Sequence, residues 1–354
     1  MKTLMQVIHE LKEYDGEPIK IMEVCGTHTS SIFKNGIRSL ISSKIELISG
    51  PGCPVCVTSS TYIDQLVAHS LKEDGCVLTF GDMMKVKGTK YSLTQAKAMG
   101  GHVKILYSPL MAVQEAMEHK QINFVFAAVG FETTTPIYGL LIGEIMKHKI
   151  KNIKLLLSLK RIIPALSYIC EHEKNIDAFL CPGHVSVITG AAVYDKLAEK
   201  YQKPFVICGF EGEHILAAIY EIVGQRKNNQ FRTRNMYVNA VSEGGNQKAL
   251  AITQKYFEKT DDVWRGIGKI EHSALKLREE YRDFDAGSDN EEGTEEVMVK
   301  GCSCTDVILG RIHPIDCSLF GKVCTPTNAI GPCMVSTEGA CGIWYKNRRL
   351  YHED

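Results

Sequence analysis

The chain lacks an excess of charge of either sign, any long apolar run, and any cysteine between Cys208 and Cys302. Its 41 Lys and Arg balance 41 Asp and Glu, which argues against a polybasic surface for nucleic acid or for an anionic membrane. No apolar stretch approaches the roughly 20 residues that span a bilayer. The opening MKTLMQVIHELKEYDG has neither a long apolar core nor a small-residue cleavage site, so it reads as an amphipathic helix rather than a secretory leader. The expected compartment is cytoplasmic, with neither nucleic acid nor membrane as a partner. In that setting 13 cysteines point to metal or redox chemistry more than to a disulfide framework.

What the chain does have is alternation. Its 354 residues, 44% hydrophobic and 23% charged, are enough for two or three domains with real cores. Apolar runs at 19–24, 45–48, 77–80, 103–107, 124–129, 154–157, 178–180 and 205–207 read as strands. They are separated by stretches of helical spacing such as 60–71 and 110–119. This alternation predicts an α/β protein with parallel sheets and helices on both faces. Past residue 235 the texture changes to a loop and helical patterns at 249–257 and 274–281. An acidic run to Glu296 follows and reads as a solvated surface.

Motifs sit where such sheets build ligand sites, at the C-terminal ends of strands. Cys25-Gly26-Thr27-His28 follows the first strand and Gly50-Pro51-Gly52-Cys53-Pro54-Val55-Cys56 the second. A cysteine beside an imidazole can give a metal site or an activated thiolate; its bland alternative is a buried thiol and a helix-capping histidine. Cys53 and Cys56, at Cys-x-x-Cys spacing on a strand-to-helix turn, can close a disulfide, exchange one, or hold a soft metal, with the following helix expected to favour thiolate. The alternative is two small buried residues in a turn. A third set, Asp82, Glu132, Thr133, Thr134, His184 and Ser186, shares this strand-end placement without revealing acid, base or ligand. Gly-Phe-Glu recurs at Gly130 and Gly209, a hint of two related halves.

Six cysteines then fall between Cys302 and Cys341. Repeated Cys-x2-Cys zinc knuckles are absent, and the looping, Gly- and Pro-rich spacing suits an iron-sulfur cluster better. Four thiolates suffice, so two are spare.

CGTHT from Cys25, GPGCPVC from Gly50, GFETT from Gly130, PGHVS from Pro182 and CSLFGKVCTPTNAIGPCMVSTEGAC from Cys317 together resemble the HypD family of nickel-iron hydrogenase maturation factors. The order is kept along nearly the whole chain. It departs from the pattern of many relatives at Ser30, Ser59 and Lys85-Val86-Lys87. The resemblance implies two Rossmann-like α/β lobes facing a cleft, 1–118 and 119–235, and a third lobe, 236–354, that is helical and Cys-rich and carries a [4Fe-4S] cluster. It implies a redox-active scaffold on which an Fe(II) centre bearing two cyanides and one carbonyl is assembled, with a HypC-type chaperone and a HypE-type cyanide donor as partners. Iron-binding and redox thiols then fall on Cys25, Cys53 and Cys56, with His28, Glu132 and His184 as further candidates for the chemistry. For the cluster we assign Cys304, Cys317, Cys324 and Cys341, with Cys333 as the substitute. A reading from another class is a [4Fe-4S]-dependent thiol-disulfide oxidoreductase acting on a protein substrate; a third is a zinc-stabilised binding module, which iron plus acid-labile sulfide would exclude.

Overall fold

A computed structural model describes residues 2–288 and 300–348, so most of the acidic run, from Asp289 onward, lies outside the described residues. The first sheet has strand order β2-β1-β7-β8-β9, all parallel, from Ile19–Glu23 (β1), Ile45–Ser49 (β2), Ala178–Cys181 (β7), Phe205–Ile207 (β8) and Thr233–Asn235 (β9). The second is ordered β10-β11-β6-β5-β3-β4. Gly75–Thr79 (β3), Val103–Ile105 (β4), Asn123–Gly130 (β5) and Ile153–Lys160 (β6) run parallel, and the hairpin Phe257–Trp264 (β10) and Gly268–Leu277 (β11) adds antiparallel to β6. All eight apolar runs are strands.

Side chains alternate across each strand, and in β3, β5, β6, β7 and β8 both faces are buried, which is why these runs read as continuous rather than alternating. Met22, Ile48, Phe179 and Ile207 of the first sheet and Val77, Val125, Ala127 and Leu156 of the second share one core. Outward residues of the first sheet, such as Ile21, Leu47 and Leu180, pack with the N-terminal helix Leu4–Lys12 and the helix Gly212–Lys227. Those of the second, such as Leu78, Phe126 and Leu155, pack against the helices Met111–Glu118 and Thr135–Lys147. Two parallel-dominated sheets therefore stand over a common core. Among the described residues no helix is long and apolar enough to cross a membrane.

Two expectations are corrected. The boundaries at 118/119 and 235/236 do not separate the sheets: β5 and β6 pair with β3, while β7 and β8 return to β1. The stretch 274–281, expected to be helical, lies partly in β11 and continues as a 3-10 turn at Glu279–Phe284. Pairing with β6 at Leu159 and Lys160 overrides its local helical spacing. The hairpin is pinned by Lys160, 1% exposed, whose ammonium donates to Asp262 Oδ2 (2.6 Å) and to the carbonyl of Val263 (2.7 Å). A buried ammonium is tolerable only with such partners.

The cysteine-rich tail folds as short helical turns at Cys304–Ile308, Pro314–Asp316, Pro332–Val335 and Ala340–Lys346. It docks on the first sheet's elements through Arg311 to Glu173 (2.7 Å) and His313 to Glu46 (3.1 Å), and through Trp344 edge-on to Phe33 with the Arg38 guanidinium over its ring. It reaches the second sheet through the Ser336 hydroxyl, which donates to Asp82 Oδ2 (3.2 Å).

Candidate functional site

A cleft of about 1000 Å³ opens at the C-terminal ends of both sheets. Cys25 lines it from the first sheet, with Pro182 and His184; Asp82, Phe131, Thr133 and Thr134 line it from the second; Thr337 and Glu338 enter from the tail. Cys25 is the N-cap of the helix Gly26–Lys34. Burial pushes its thiol up, while the first N–H groups of that helix, at Thr27 and His28, pull it down. Burial outweighs the helix end, so the thiol stays above its ordinary value and the N–H groups offset only part of the rise. The Cys53–Cys56 turn lies in a separate 3-10 turn at Val55–Val57, and the helix that follows is capped by Ser59, which accepts from the N–H of Tyr62 (3.2 Å).

Cys53 and Cys56 are joined as a disulfide and are 4% and 2% exposed. Their turn is pressed against the end of β1: a Cβ on Gly52 would collide with the carbonyl of Val24 and meet the Cα of Cys25 at 2.9 Å. Gly52 lacks the atom that would force the turn and Cys25 apart. Gly52→Ala is expected to destabilise the fold by about 2 kcal/mol, because the obstacle is backbone and cannot swing away. A urea midpoint equal to that of the unaltered protein would refute this close approach. A smaller cavity of about 290 Å³ is lined by Gly26, Cys53, Cys56, Cys333 and Glu338, so the disulfide borders both the Cys25 helix and the tail.

In the tail, Cys302, Cys304, Cys317, Cys324 and Cys341 line one cavity together with Leu319, Phe320 and Met334. Cys333, 1% exposed, does not line this cavity but the one beside the disulfide, and its neighbours Cys304 and Cys341 and its burial push its thiol up. Interaction with Cys304 and Cys333 draws the Cys341 thiol down. Cys302 Sγ lies 3.2 Å from Cys304 Sγ. Among the described residues no group of three or more His, Cys, Asp or Glu side chains is closed tightly enough to hold a single metal ion. A polynuclear cluster takes its thiolates from around a larger body, and four of the five sulfurs around this apolar cavity are a donor set of that kind.

A family model named HypD and described as "Hydrogenase formation hypA family" matches residues 1–348. Among curated proteins, the hydrogenase maturation factor HypD of Escherichia coli K12 is 38% identical, covering 99% of this chain and 97% of its own length. That of Rhodobacter capsulatus is 37% identical, covering 98% and 94%, and that of Cupriavidus necator 37%, covering 95% and 91%. The chain belongs to the HypD family.

For this HypD-family chain, the structure brings some candidate residues together and holds others apart. Cys25, His184, Asp82, Thr133 and Thr134 share the cleft. Glu132 does not line it: Oε1 accepts from the N–H of Ile162 (2.9 Å), Oε2 has no hydrogen-bond partner among the described residues, and burial pushes the carboxyl up. Ser186 is buried, donating to the carbonyl of Pro182 (2.9 Å) and lying 3.0 Å from the Tyr194 hydroxyl. The two Gly-Phe-Glu tripeptides end β5 of one sheet and follow β8 of the other. Phe131 lines the cleft, and Phe210 lies between the rings of His184 and His28, at 4.2 and 4.8 Å. Glu338 was not singled out by sequence reasoning, because the TEGAC stretch drew attention only to its cysteine. Its carbonyl lies where a Cβ on Gly26 would sit, so the tail backbone closes directly over the Cys25 helix.

His28 is fully buried, Nε2 3.5 Å from Cys208 Sγ, and it does not line the cleft. Burial pulls its pKa from 6.5 to about 4. Between those values the unfolded chain takes up a proton that the native imidazole refuses, so stability falls as pH drops from 6.5 toward 4 and is unaffected above 6.5. The window amounts to about 3 kcal/mol. Denaturation midpoints from pH 4 to 8 should show a shallower acid limb in His28→Gln than in the unaltered protein; parallel limbs would mean that His28 titrates normally.

Proposed function

We propose that this hydrogenase maturation factor is the redox-active scaffold on which iron carrying two cyanides and one carbonyl is assembled, with a HypC-type chaperone and a HypE-type cyanide donor as partners in the cytoplasm. The observation that carries the reading is the juxtaposition of a cleft thiol, Cys25, with a disulfide whose turn touches its backbone.

The iron is the cargo. Low-spin iron with strong-field ligands favours soft thiolates in a site that excludes competing ligands. Cys25 offers one thiolate at a helix N-terminus. The Cys53–Cys56 disulfide offers none until two electrons convert it to two thiolates, so its oxidation state decides when the scaffold can hold iron. We read Cys304, Cys317, Cys324 and Cys341 as the residues that would hold a [4Fe-4S] cluster, which supplies single electrons when bound. Ser336, on the same tail segment as Cys333 and Cys341, fixes that segment to Asp82 at the cleft wall. Glu338 and Asp82 give the cleft an acidic rim, and burial pushes the Glu338 carboxyl up.

The test is the infrared spectrum of the chain co-expressed with its partners and purified without air. Cyanide and carbonyl bands that travel with the chain and with stoichiometric iron are the expected result. Their absence from an iron-sulfur-loaded protein that still reduces disulfides in other proteins would favour the oxidoreductase reading instead.

A further inference from the structure

A second opening, which shares no lining residue with the cleft, reaches the disulfide at Cys56. It is a cavity of about 510 Å³ lined by Cys56, Cys302 and Cys304, by apolar groups including Ile308, Ile330 and Pro332, and by three cations, Lys85, Lys87 and Arg265. Its lining holds no carboxylate among the described residues, although the chain as a whole is neutral. Lys85 and Lys87 are exposed, whereas Cys56 is buried and Cys302 and Cys304 are half-buried, so the two lysines mark the mouth and Cys56 the floor. Arg265 is fixed in place: its guanidinium donates to the carbonyl of Lys87 (2.6 Å) and its backbone N–H to the carbonyl of Val57 (2.9 Å), joining the Lys87 loop to the disulfide turn.

The two sulfurs are not equivalent. Cys56 lines this cavity and Cys53 does not. Cys53 Sγ instead accepts the backbone N–H of Cys56 at 3.2 Å. An N–H aimed at a sulfur stabilises the thiolate that forms there, and the better-stabilised thiolate is the better leaving group in exchange. Access and leaving-group quality therefore select the same direction of attack.

We infer that this cavity is a binding site for a low-molecular-weight thiol bearing a carboxylate or sulfonate, which opens the Cys53–Cys56 disulfide by attack on Cys56. The thiolate RS⁻ bonds to Cys56 Sγ, the Cys53–Cys56 bond breaks, and Cys53 departs as a thiolate. A second RS⁻ attacks the sulfur of the bound thiol, releasing RSSR and leaving Cys56 as a thiolate. Two thiolates are consumed, two are produced, and the two electrons come from the small thiol. A protein dithiol is disfavoured because Cys56 is 2% exposed at the bottom of the cavity. The inference rests on the reading of Cys53–Cys56 as a redox switch, and it adds the reductant's chemistry, its entrance and the sulfur it attacks.

The test uses the full chain, purified oxidised, and three probes: 2-mercaptoethanesulfonate (anionic), 2-mercaptoethanol (neutral) and cysteamine (cationic). Rates are compared per unit of thiolate and read by alkylation and mass spectrometry at Cys53 and Cys56. The sulfonate is expected to act roughly tenfold faster than the neutral thiol at low salt, with cysteamine slowest. High salt or the double variant Lys85→Glu/Lys87→Glu should erase that order. In Cys53→Ala, an anionic thiosulfonate should label Cys56 faster than it labels Cys53 in Cys56→Ala. Equal rates for the three thiols, faster labelling of Cys53, or an adduct confined to Cys302 or Cys304 would overturn the inference while leaving the switch intact. A disulfide that no thiol opens would overturn both.

Discussion

Cys25→Ala is expected to abolish the cyanide and carbonyl infrared bands and the iron that accompanies them, while the visible absorbance of the tail cluster persists. The separation follows from the geometry. Cys25 lines the cleft between the sheets, whereas the tail cavity is lined by other cysteines and does not include it. Cys25 also makes no side-chain capping bond to its helix, so its removal costs little in folding. The loss should exceed the roughly 10–100-fold in metal retention that follows from changing a residue one step removed from a metal, because a direct thiolate would be gone. His28→Ala, by contrast, should weaken the bands only through packing, since the imidazole is buried behind Phe210 and does not line the cleft. Bands retained in Cys25→Ala would show that Cys53 and Cys56 suffice for the iron, and the role proposed for the helix N-terminus would fall.

Much of this site was legible because the chemistry-bearing residues follow apolar runs that can be nothing but buried strands, and strand ends are where parallel sheets leave room. What was not legible depends on pairing between distant segments. The order β2-β1-β7-β8-β9 returns residues 178–207 to the side of residues 19–23, so a contiguous division of the chain could not describe it. The strand Phe257–Trp264, FEKTDDVW, has little apolar alternation; its place is held by the partners of Lys160 and by Trp264 packed against Phe131 at 6.0 Å. Its neighbour β11 carries a left-handed backbone at His272, φ 52°, which no periodicity foretells. The helix expected to activate the Cys53–Cys56 turn starts at Ser60 behind its own serine cap, and the free helix end stands at Cys25 instead. Glu338 reaches the cleft from 313 residues beyond Cys25 in sequence, and only the folded tail brings the two together.

That tail carries the second large effect. Replacing Cys317, Cys324 or Cys341 with Ala should each remove the broad absorbance near about 400 nm that thiolate-ligated iron-sulfur clusters give, whereas Cys302→Ala and Cys333→Ala should retain it. The distinction rests on position and number. Cys304, Cys317, Cys324 and Cys341 line the cavity, and the proposed assignment takes from them the four thiolates a cluster needs. Cys333 does not line it, and Cys302, paired with Cys304 at 3.2 Å, is a fifth sulfur on the same wall. Few regular elements hold this segment: its helical turns run four to seven residues apart from one 3-10 turn of three, so cluster loss should also loosen its docking on the first sheet. Trp344 reports on that docking, because its ring is 2% exposed between Phe33, Arg38 and His313. The chain has two tryptophans, so in a Trp264→Phe background the emission of Trp344 should shift to the red in the three colourless variants and stay put in Cys302→Ala and Cys333→Ala. Unchanged absorbance in all three ligand variants would remove the cluster from this cavity. Loss of colour in Cys333→Ala with retention in Cys324→Ala would move it instead toward the buried contact of Cys304, Cys333 and Cys341.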